Sequence, residues 1–295
     1  MKTYGYYPGC SAESLGASYH ISAIETMRAL GGELRELENW SCCGTSTYFH
    51  VDELLAHVLV ARNLAIAERS GLDFVATCSG CYKNAFFTNK QLHNDPDLAE
   101  HLNFALAADD LHLDGTVKVR HIMDVFLEDF GLDEIRRHVT RPLEGVRVAP
   151  YYGCQLVRPR KEDEDVEWPM GFERLIEAIG ATPVDYAAKM RCCGSSLMIS
   201  NRDAALDMVH YLVQDAVARE TDVIATICPL CQINVEVYQK QANTEYGTDY
   251  EVPVVYFTQL MGLAMGIAPG RLGFGKELIN AGPLLFTPQA AQASS

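Results

Sequence analysis

The ten cysteines of this 295-residue chain form two sets of five that share one order and nearly one spacing. Each set consists of a single cysteine, an adjacent pair followed by glycine, and a CxxC motif. The sets are Cys10, Cys42, Cys43, Cys78 and Cys81, and Cys154, Cys192, Cys193, Cys228 and Cys231. Corresponding cysteines of the CCG and CxxC motifs lie 150 positions apart, whereas Cys10 and Cys154 lie 144 apart. This pattern predicts the same thiol-bound inorganic group held twice, with a short insertion in the second half, most simply the charged run 161–165.

Five thiols in each set exceed what one metal ion needs. A structural zinc site and an ordinary iron–sulfur cluster each take four ligands. Adjacent side chains point to opposite faces of a strand, or about 100° apart on a helix, so they reach one small ion with difficulty. They can bind or bridge different iron atoms of a larger cluster, and Gly44 and Gly194 let the backbone turn tightly behind each pair. The set therefore indicates a multinuclear iron–sulfur cluster.

Three other uses of the cysteines stay open at this point. Structural disulfides are typical of small secreted domains, whereas this chain is longer and we expect no signal peptide, because its first seven residues contain no apolar run. Two zinc sites would leave one spare thiol in each half. A thioredoxin-like redox pair would use the CxxC motifs and leave six cysteines idle.

Alternating strands and helices are predicted to position the cysteines. In the first half we expect strands ending near 8–10, at 33–37 and at 74–76, and helices over 18–30, 52–69 and 82–91. In the second half we expect strands at 146–149 and 223–225, and helices over 171–178, 203–218 and 233–241. Apolar residues at helical spacing and terminal glycines support the helices. The pattern predicts an α/β fold of two pseudo-symmetric domains, each a small, mainly parallel sheet with flanking helices and a loop region that binds the group at the strand ends.

The domain boundaries follow from the repeat. We expect an N-terminal domain over 1–140, a C-terminal domain over 141–270 and a C-terminal tail over 271–295, with the junction inside 136–145. The last residues, 287–295, are rich in alanine, glutamine and serine and are predicted to be disordered.

The composition excludes some classes of partner. The formal net charge of −15 argues against nucleic acid, and an acidic surface suits docking to a basic subunit. With 48% hydrophobic residues each half can bury a substantial core, and no apolar run is long enough for a transmembrane segment. We therefore expect a cytoplasmic protein.

The cysteine pattern resembles a known family. The order Cys, CCG, CxxC resembles the CCG domain, and its tandem occurrence is similar to the B-type subunit of heterodisulfide reductase, from residues 4–10 through 255–260. The resemblance implies that each domain holds one noncubane [4Fe–4S] cluster through its five cysteines. It thus implies that all ten cysteines are metal ligands, and that the two clusters face each other across a cleft between the halves.

The resemblance also implies a function. It implies the catalytic subunit of a heterodisulfide reductase-like complex, an iron–sulfur oxidoreductase that reduces a disulfide, or oxidises a thiol pair, between the two clusters. The chain has no GxGxxG fingerprint and no compact ferredoxin-type cysteine run, so the implied partners are a small cubane-cluster iron–sulfur subunit and a flavoprotein subunit. The alternative is an iron–sulfur electron-transfer subunit of a related complex, of sulfur-oxidation or succinate:quinone type, without its own disulfide substrate.

Other residues near the cysteines suggest secondary roles. Tyrosines flank the first cysteine of each set and are expected to pack against the cluster, namely Tyr4, Tyr6, Tyr7, Tyr151 and Tyr152. His20 and His50 lie near cluster loops, where a structural role is favoured over proton donation. Four basic residues could neutralise an anionic cluster or bind an anionic substrate, although a solvated side chain is favoured for each: Lys83, Arg158, Lys189 and Arg191.

Anaerobically purified protein should contain about eight iron and about eight sulfide per chain, because that is the content of two four-iron clusters. Iron, sulfide and zinc measured on one sample check this expectation. Stoichiometric zinc with little iron, in a colourless protein, would instead identify a zinc-stabilised interaction module.

Overall fold

The fold repeats in the two halves of the chain. The structure, a computed structural model, describes residues 1–45, 47–157 and 167–286. The predicted insertion 161–165, Arg158 and the predicted disordered end 287–295 lie outside the described residues.

A parallel sheet of four strands in the order β2-β1-β3-β4 forms the centre of the first half. Its strands are β1 Lys2–Tyr7, β2 Gly32–Glu36, β3 Phe74–Ala76 and β4 Val119–His121. The helices are α1 Ala17–Ala29, α2 Tyr48–Val51, α3 Glu53–Ser70, α4 Ser79–Asn94, α5 Pro96–Leu106, α6 Ile122–Val125 and α7 Leu132–His138, with a π-helical turn at Phe126–Phe130 between the last two.

The second half contains an equivalent sheet in the order β6-β5-β7-β8. Its strands are β5 Arg147–Tyr151, β6 Thr182–Pro183, β7 Val223–Thr226 and β8 Val254–Tyr256. The helices are α8 Gly171–Ala178, α9 Arg202–Val217, α10 Pro229–Val237, α11 Gln239–Tyr246, α12 Phe257–Ala264 and α13 Gly282–Leu285, and 3₁₀ turns lie at Ala187–Met190, Ser195–Leu197 and Pro269–Leu272. The predicted α/β class with two pseudo-symmetric parallel sheets is confirmed.

Local signals set the ends of the long helices. The Asp52 side chain accepts a hydrogen bond from the Leu55 backbone N–H at 3.0 Å and caps α3, which ends at Gly71 in the left-handed conformation, with φ of 68°. Two helices begin earlier than predicted, because α4 starts at Ser79 and α10 at Pro229, inside the CxxC motifs. Proline suits the first turn of a helix, where its missing N–H has no partner to lose.

One buried core joins the two halves. Every residue of β3, β7 and β8 is buried, as expected for parallel strands covered on both faces. The Phe257 ring lies edge-on to the rings of Phe126 and Phe172, with centroids 5.9 Å away in each case. Since these three side chains come from both halves, hydrophobic burial stabilises the halves against each other.

The C-terminal segment as far as Phe286 packs against this core. Leu272 is fully buried, and a Cβ at Gly262 would overlap its side chain, so glycine is needed for this close approach. The Ser18 hydroxyl donates to the Gly273 carbonyl at 2.9 Å, which ties the segment to α1. Within the described ranges, no helix has both the length and the apolar character needed to cross a membrane.

Replacing Leu272→Ala should lower the free energy of unfolding by about 2–5 kcal/mol, because it removes a buried leucine and leaves a cavity beside Gly262. Chemical denaturation of both proteins measures the difference. The matched control is Leu278→Ala, since Leu278 is 69% exposed in the same segment, and we expect a change within about 0.5 kcal/mol. Equal effects of the two substitutions would contradict the packing role of Leu272.

Candidate functional site

The CxxC cysteines lie at the N-termini of two helices whose first turns are largely buried. Cys78 is the N-cap of α4 and Cys228 is the N-cap of α10, each two residues after a strand of its sheet. Cys81 and Cys231 occupy the third helical position, so both thiols of each motif lie within the first turn. Unpaired backbone N–H groups and the helix macrodipole at this position favour thiolates and anionic groups.

The CCG pairs lie against these helix ends. The Sγ atoms of Cys43 and Cys81 are 3.2 Å apart, and in the second half Cys193 and Cys231 lie close enough to shift each other's pKa. The glycine after each pair has a left-handed backbone, with φ of 69° at Gly44 and 83° at Gly194. The turn at these glycines therefore sets the direction of the chain beyond each pair.

The first cysteine of each set follows a second glycine. Gly9 and Gly153 have φ of 73° and 65°, and a Cβ on them would lie 3.3 Å from the Sγ of Cys81 and 3.1 Å from that of Cys231. The chain thus passes directly over the CxxC thiols before it reaches the first cysteine. Glycine is required here for both backbone conformation and space.

The tyrosine two residues before each of these glycines anchors the loop that carries the CCG pair. The Tyr7 hydroxyl donates to the Ser41 carbonyl at 2.7 Å, and the Tyr151 hydroxyl donates to the Arg191 carbonyl at 2.7 Å. Burial raises the pKa of both phenols, so they stay protonated and able to donate. Packing of the flanking tyrosines against a cluster stays a prediction, and the added finding is that Tyr7 and Tyr151 hold the backbone directly before the CCG pairs.

Two asparagines complete this support and were missed at the level of sequence. Asn84 Nδ2 donates to the Cys43 carbonyl at 3.1 Å, and Asn234 Nδ2 donates to the Cys193 carbonyl at 2.6 Å. Each lies three residues after the last cysteine of a CxxC motif, on the same helix. The signal that could have found them is that they repeat at the 150-residue offset of the cysteines.

The two cysteine sets meet at the centre of the molecule. Cys78 and Cys228 lie close enough to shift each other's pKa. The carbonyls of Thr77 and Ile227, which precede them, both lie within 3.2 Å of His121 Nε2, so the CxxC motifs of the two halves lie side by side. The same proximity continues outward on both sides, to Cys81 and Cys43 in one half and to Cys231 and Cys193 in the other. A buried band of thiols therefore links the two sets.

The thiols within this band perturb each other's ionisation. Hydrogen bonds from Cys42, and then from Cys81, lower the pKa of Cys43, while those from Cys231 and then Cys78 lower the pKa of Cys228. Protons in such a group belong to the group as a whole. One thiol in each half is thus favoured as a thiolate, which is the form that binds metals.

Solvent exposure differs among the ten cysteines. Cys10 and Cys42 are exposed and Cys154 and Cys192 are partly buried, whereas the remaining six cysteines are buried. Among the described residues, no three His, Cys, Asp or Glu side chains already converge as a single-ion site requires. That all ten cysteines are metal ligands stays a prediction, and thiols are soft donors of the kind that iron–sulfur clusters use.

The other side chains considered from sequence have varied surroundings. His20 is half-buried, its Nδ1 lies 3.1 Å from the Tyr6 hydroxyl, and burial lowers its pKa. His50 is exposed on α2. The expectation of a solvated Lys189 is wrong, because its buried ammonium donates to Glu173 at 2.6 Å and lies 3.9 Å from the Trp168 ring centroid.

Replacing Gly9→Ala should reduce the metal bound per chain by about half, because the new Cβ enters the space beside Cys81 and strains the backbone. Gly153→Ala should do the same in the other half. Metal analysis after reconstitution measures both. The matched control is Gly31→Ala, with φ of 75° and no atom within 4 Å of the new Cβ, which adds strain alone. Full metal content in both site variants would show that metal binding does not need the space beside these thiols.

Known proteins match the chain over most of its length. The family profile of the cysteine-rich CCG domain matches residues 4–84 and 148–236. The 8-methylmenaquinol:fumarate reductase membrane anchor subunit of Wolinella succinogenes is 33% identical over 95% of this chain and 98% of its own. The B-type subunit of the ferredoxin/F420H2-dependent CoB-CoM heterodisulfide reductase of Methanosarcina acetivorans is 34% identical over 83% of both chains.

Two further matches extend this likeness. A protein of Archaeoglobus profundus, named as similar to the B-type subunit of heterodisulfide reductase, is 28% identical over 92% of this chain and 93% of its own. A crystal structure of a hypothetical protein from Helicobacter pylori shares the fold, with a TM-score of 0.78 at 15% identity, over 95% of this chain and 52% of that one. Together with the duplicated cysteine site, these matches show that the chain belongs to the CCG cysteine-rich domain family, among the relatives of the B-type subunit of heterodisulfide reductase.

Proposed function

We propose that this chain is the catalytic subunit of a heterodisulfide reductase-like complex and reduces a disulfide, or oxidises a thiol pair, between two iron–sulfur clusters. The observation that supports it most is the proximity of the two CxxC motifs, since His121 Nε2 lies within 3.2 Å of the carbonyls before both Cys78 and Cys228. A substrate with two linked sulfurs needs two adjacent reaction sites, and this arrangement provides them.

The residues present fit a noncubane [4Fe–4S] cluster in each half. The donors of each set are five thiols, and the glycine that precedes the first cysteine leaves the space beside the CxxC thiols without a side chain. All ten cysteines would be the ligands, five for each cluster. Once bound, the clusters would supply electrons and soft iron sites for the substrate sulfurs.

The protein's own groups position and insulate this site. The hydroxyls of Tyr7 and Tyr151 and the amides of Asn84 and Asn234 hold the CCG pairs in place through backbone carbonyls. Since six cysteines are buried and Cys10 and Cys42 are exposed, access from solvent is greatest on the side of the first set. Reduction of one disulfide consumes two electrons and two protons and yields two thiols.

The electrons must come from partners. We propose a small iron–sulfur subunit with cubane clusters as the direct donor and a flavoprotein subunit behind it. The matched relatives named as reductase subunits support an assembly of this kind. We also place the protein in the cytoplasm, where thiols stay reduced.

A second function is favoured by one specific observation. The Wolinella relative, which is named as a subunit of a methylmenaquinol:fumarate reductase, matches this chain over 95% of its length. In a complex of that type the two clusters would transfer electrons without a disulfide substrate. Spectra of the reduced protein separate the two functions, because only a disulfide-binding site changes its signal when a thiol or disulfide is added.

Disulfide reduction with an artificial low-potential donor should fall to background in Cys43→Ser and in Cys193→Ser, since each removes a ligand next to a CxxC thiol in one half. Turnover and iron content are measured together. Loss of turnover while the unaltered half keeps its iron indicates that both sites are needed. Full turnover in a variant with one demonstrably empty half would contradict the proposal.

A further inference from the structure

The carbonyl group of Ile227 receives three hydrogen bonds from the opposite half. Ile227 immediately precedes Cys228, and its oxygen lies 3.2 Å from His121 Nε2, 3.2 Å from the Tyr19 hydroxyl and 3.4 Å from the Ser79 hydroxyl. All three donors belong to the first half of the chain. The backbone that carries Cys228 is therefore held in place by the other half as well as by its own helix.

The central donor, His121, reaches both CxxC motifs. It is the last residue of β4 and is fully buried. Its Nε2 lies 3.1 Å from the Thr77 carbonyl as well as 3.2 Å from that of Ile227. Its Nδ1 accepts the Met123 backbone N–H at 3.2 Å, so the ring proton is on Nε2. One N–H thus donates to the residues directly before Cys78 and Cys228.

This bridge departs from the internal symmetry of the chain. At the same register in the second sheet stands Tyr256, which pairs with Thr226 as His121 pairs with Ala76. The Tyr256 ring stacks on Tyr19 with centroids 4.4 Å apart, and its hydroxyl donates to Gln232. The Tyr256 hydroxyl thus donates within its own half, whereas the His121 ring connects the two CxxC motifs.

We propose that His121 is a positioning residue that sets the separation of the two CxxC motifs, and through it the interaction between the groups bound by the two cysteine sets. The proposal rests on the proposed function, in which both sets hold clusters. Removal of the shared N–H takes away the one donor that joins the two carbonyls and leaves Ile227 with its hydroxyl donors Tyr19 and Ser79 alone. Because a lost hydrogen bond to a buried carbonyl is costly, this favours a rearrangement that separates the two carbonyls or lets water enter between them. The distance between Cys78 and Cys228 would then increase.

The test is the magnetic interaction between the two reduced clusters, measured by electron paramagnetic resonance on holoprotein with its iron content determined. His121→Phe should narrow or remove the splitting and relaxation enhancement that each cluster causes in the other, while both sites keep their iron. His121→Gln retains an N–H donor near the Nε2 position and should restore part of the interaction. Tyr19→Phe removes one hydroxyl that donates to the Ile227 carbonyl and should also weaken the magnetic interaction. If His121→Phe fails to fold, this variant together with His121→Gln tests whether the hydrogen bonds to Ile227 position the motif.

The matched control is His57→Phe. His57 is also buried, and its Nδ1 hydrogen-bonds the Thr88 hydroxyl at 2.8 Å, away from the CxxC carbonyls. The His57→Phe substitution should lower the free energy of unfolding and leave the magnetic interaction between the two clusters unchanged. An unchanged interaction in iron-replete variants of His121 and Tyr19 would overturn the positioning role alone. A wild-type protein without two interacting clusters would overturn the proposed function and this proposal with it.

Discussion

Convergence of thiols at the start of two helices is the constraint on which the structure depends. In each half, three segments far apart in sequence must bring their cysteines to one helix N-terminus. Adjacent parallel strands meet this need, because β1 pairs with β3 and β5 with β7, so the carboxyl ends of each pair deliver two of the segments to one edge. The third segment, the CCG loop, lies beyond the sheet and needs separate support.

That support comes from tyrosine and asparagine side chains that donate hydrogen bonds to backbone carbonyls near the CCG pairs. Tyr7 and Asn84 hold the loop of the first half from two directions, and Tyr151 and Asn234 do the same in the second. A buried carbonyl without a donor would be costly, so these contacts stabilise one loop conformation. In metal sites generally, the residues that position the ligands often matter nearly as much as the ligands themselves.

The two halves share the order of their cysteines, and they differ in the layer of side chains around them. The second half places Lys189, Glu173 and Tyr152 in a buried hydrogen-bonded group beneath its CCG loop. At the position equivalent to Lys189 the first half has Asn39, whose φ is 57°. The two sites therefore share their cysteine pattern and differ in buried charge. Charge and hydrogen bonding near a redox centre tune its potential, so two groups of the same kind would differ in their readiness to accept an electron.

The sequence by itself determined the two cysteine sets, the α/β class and the long helices, because each of these depends on residue type or on local periodicity. The helix predicted over 52–69 is α3 within one residue, for example, and its cap and terminal glycine are adjacent in the chain. The strands β4, β6 and β8 were not predicted, since two or three residues are too short to show a period. The equally short β3 was predicted because it lies between a helix-ending glycine and the CxxC motif.

Only the tertiary structure decided that Cys78 lies close to Cys228, that His121 joins their backbones and that Leu272 is part of the core. These are contacts between residues far apart in sequence, which are set by how the two sheets pack and which no local pattern encodes.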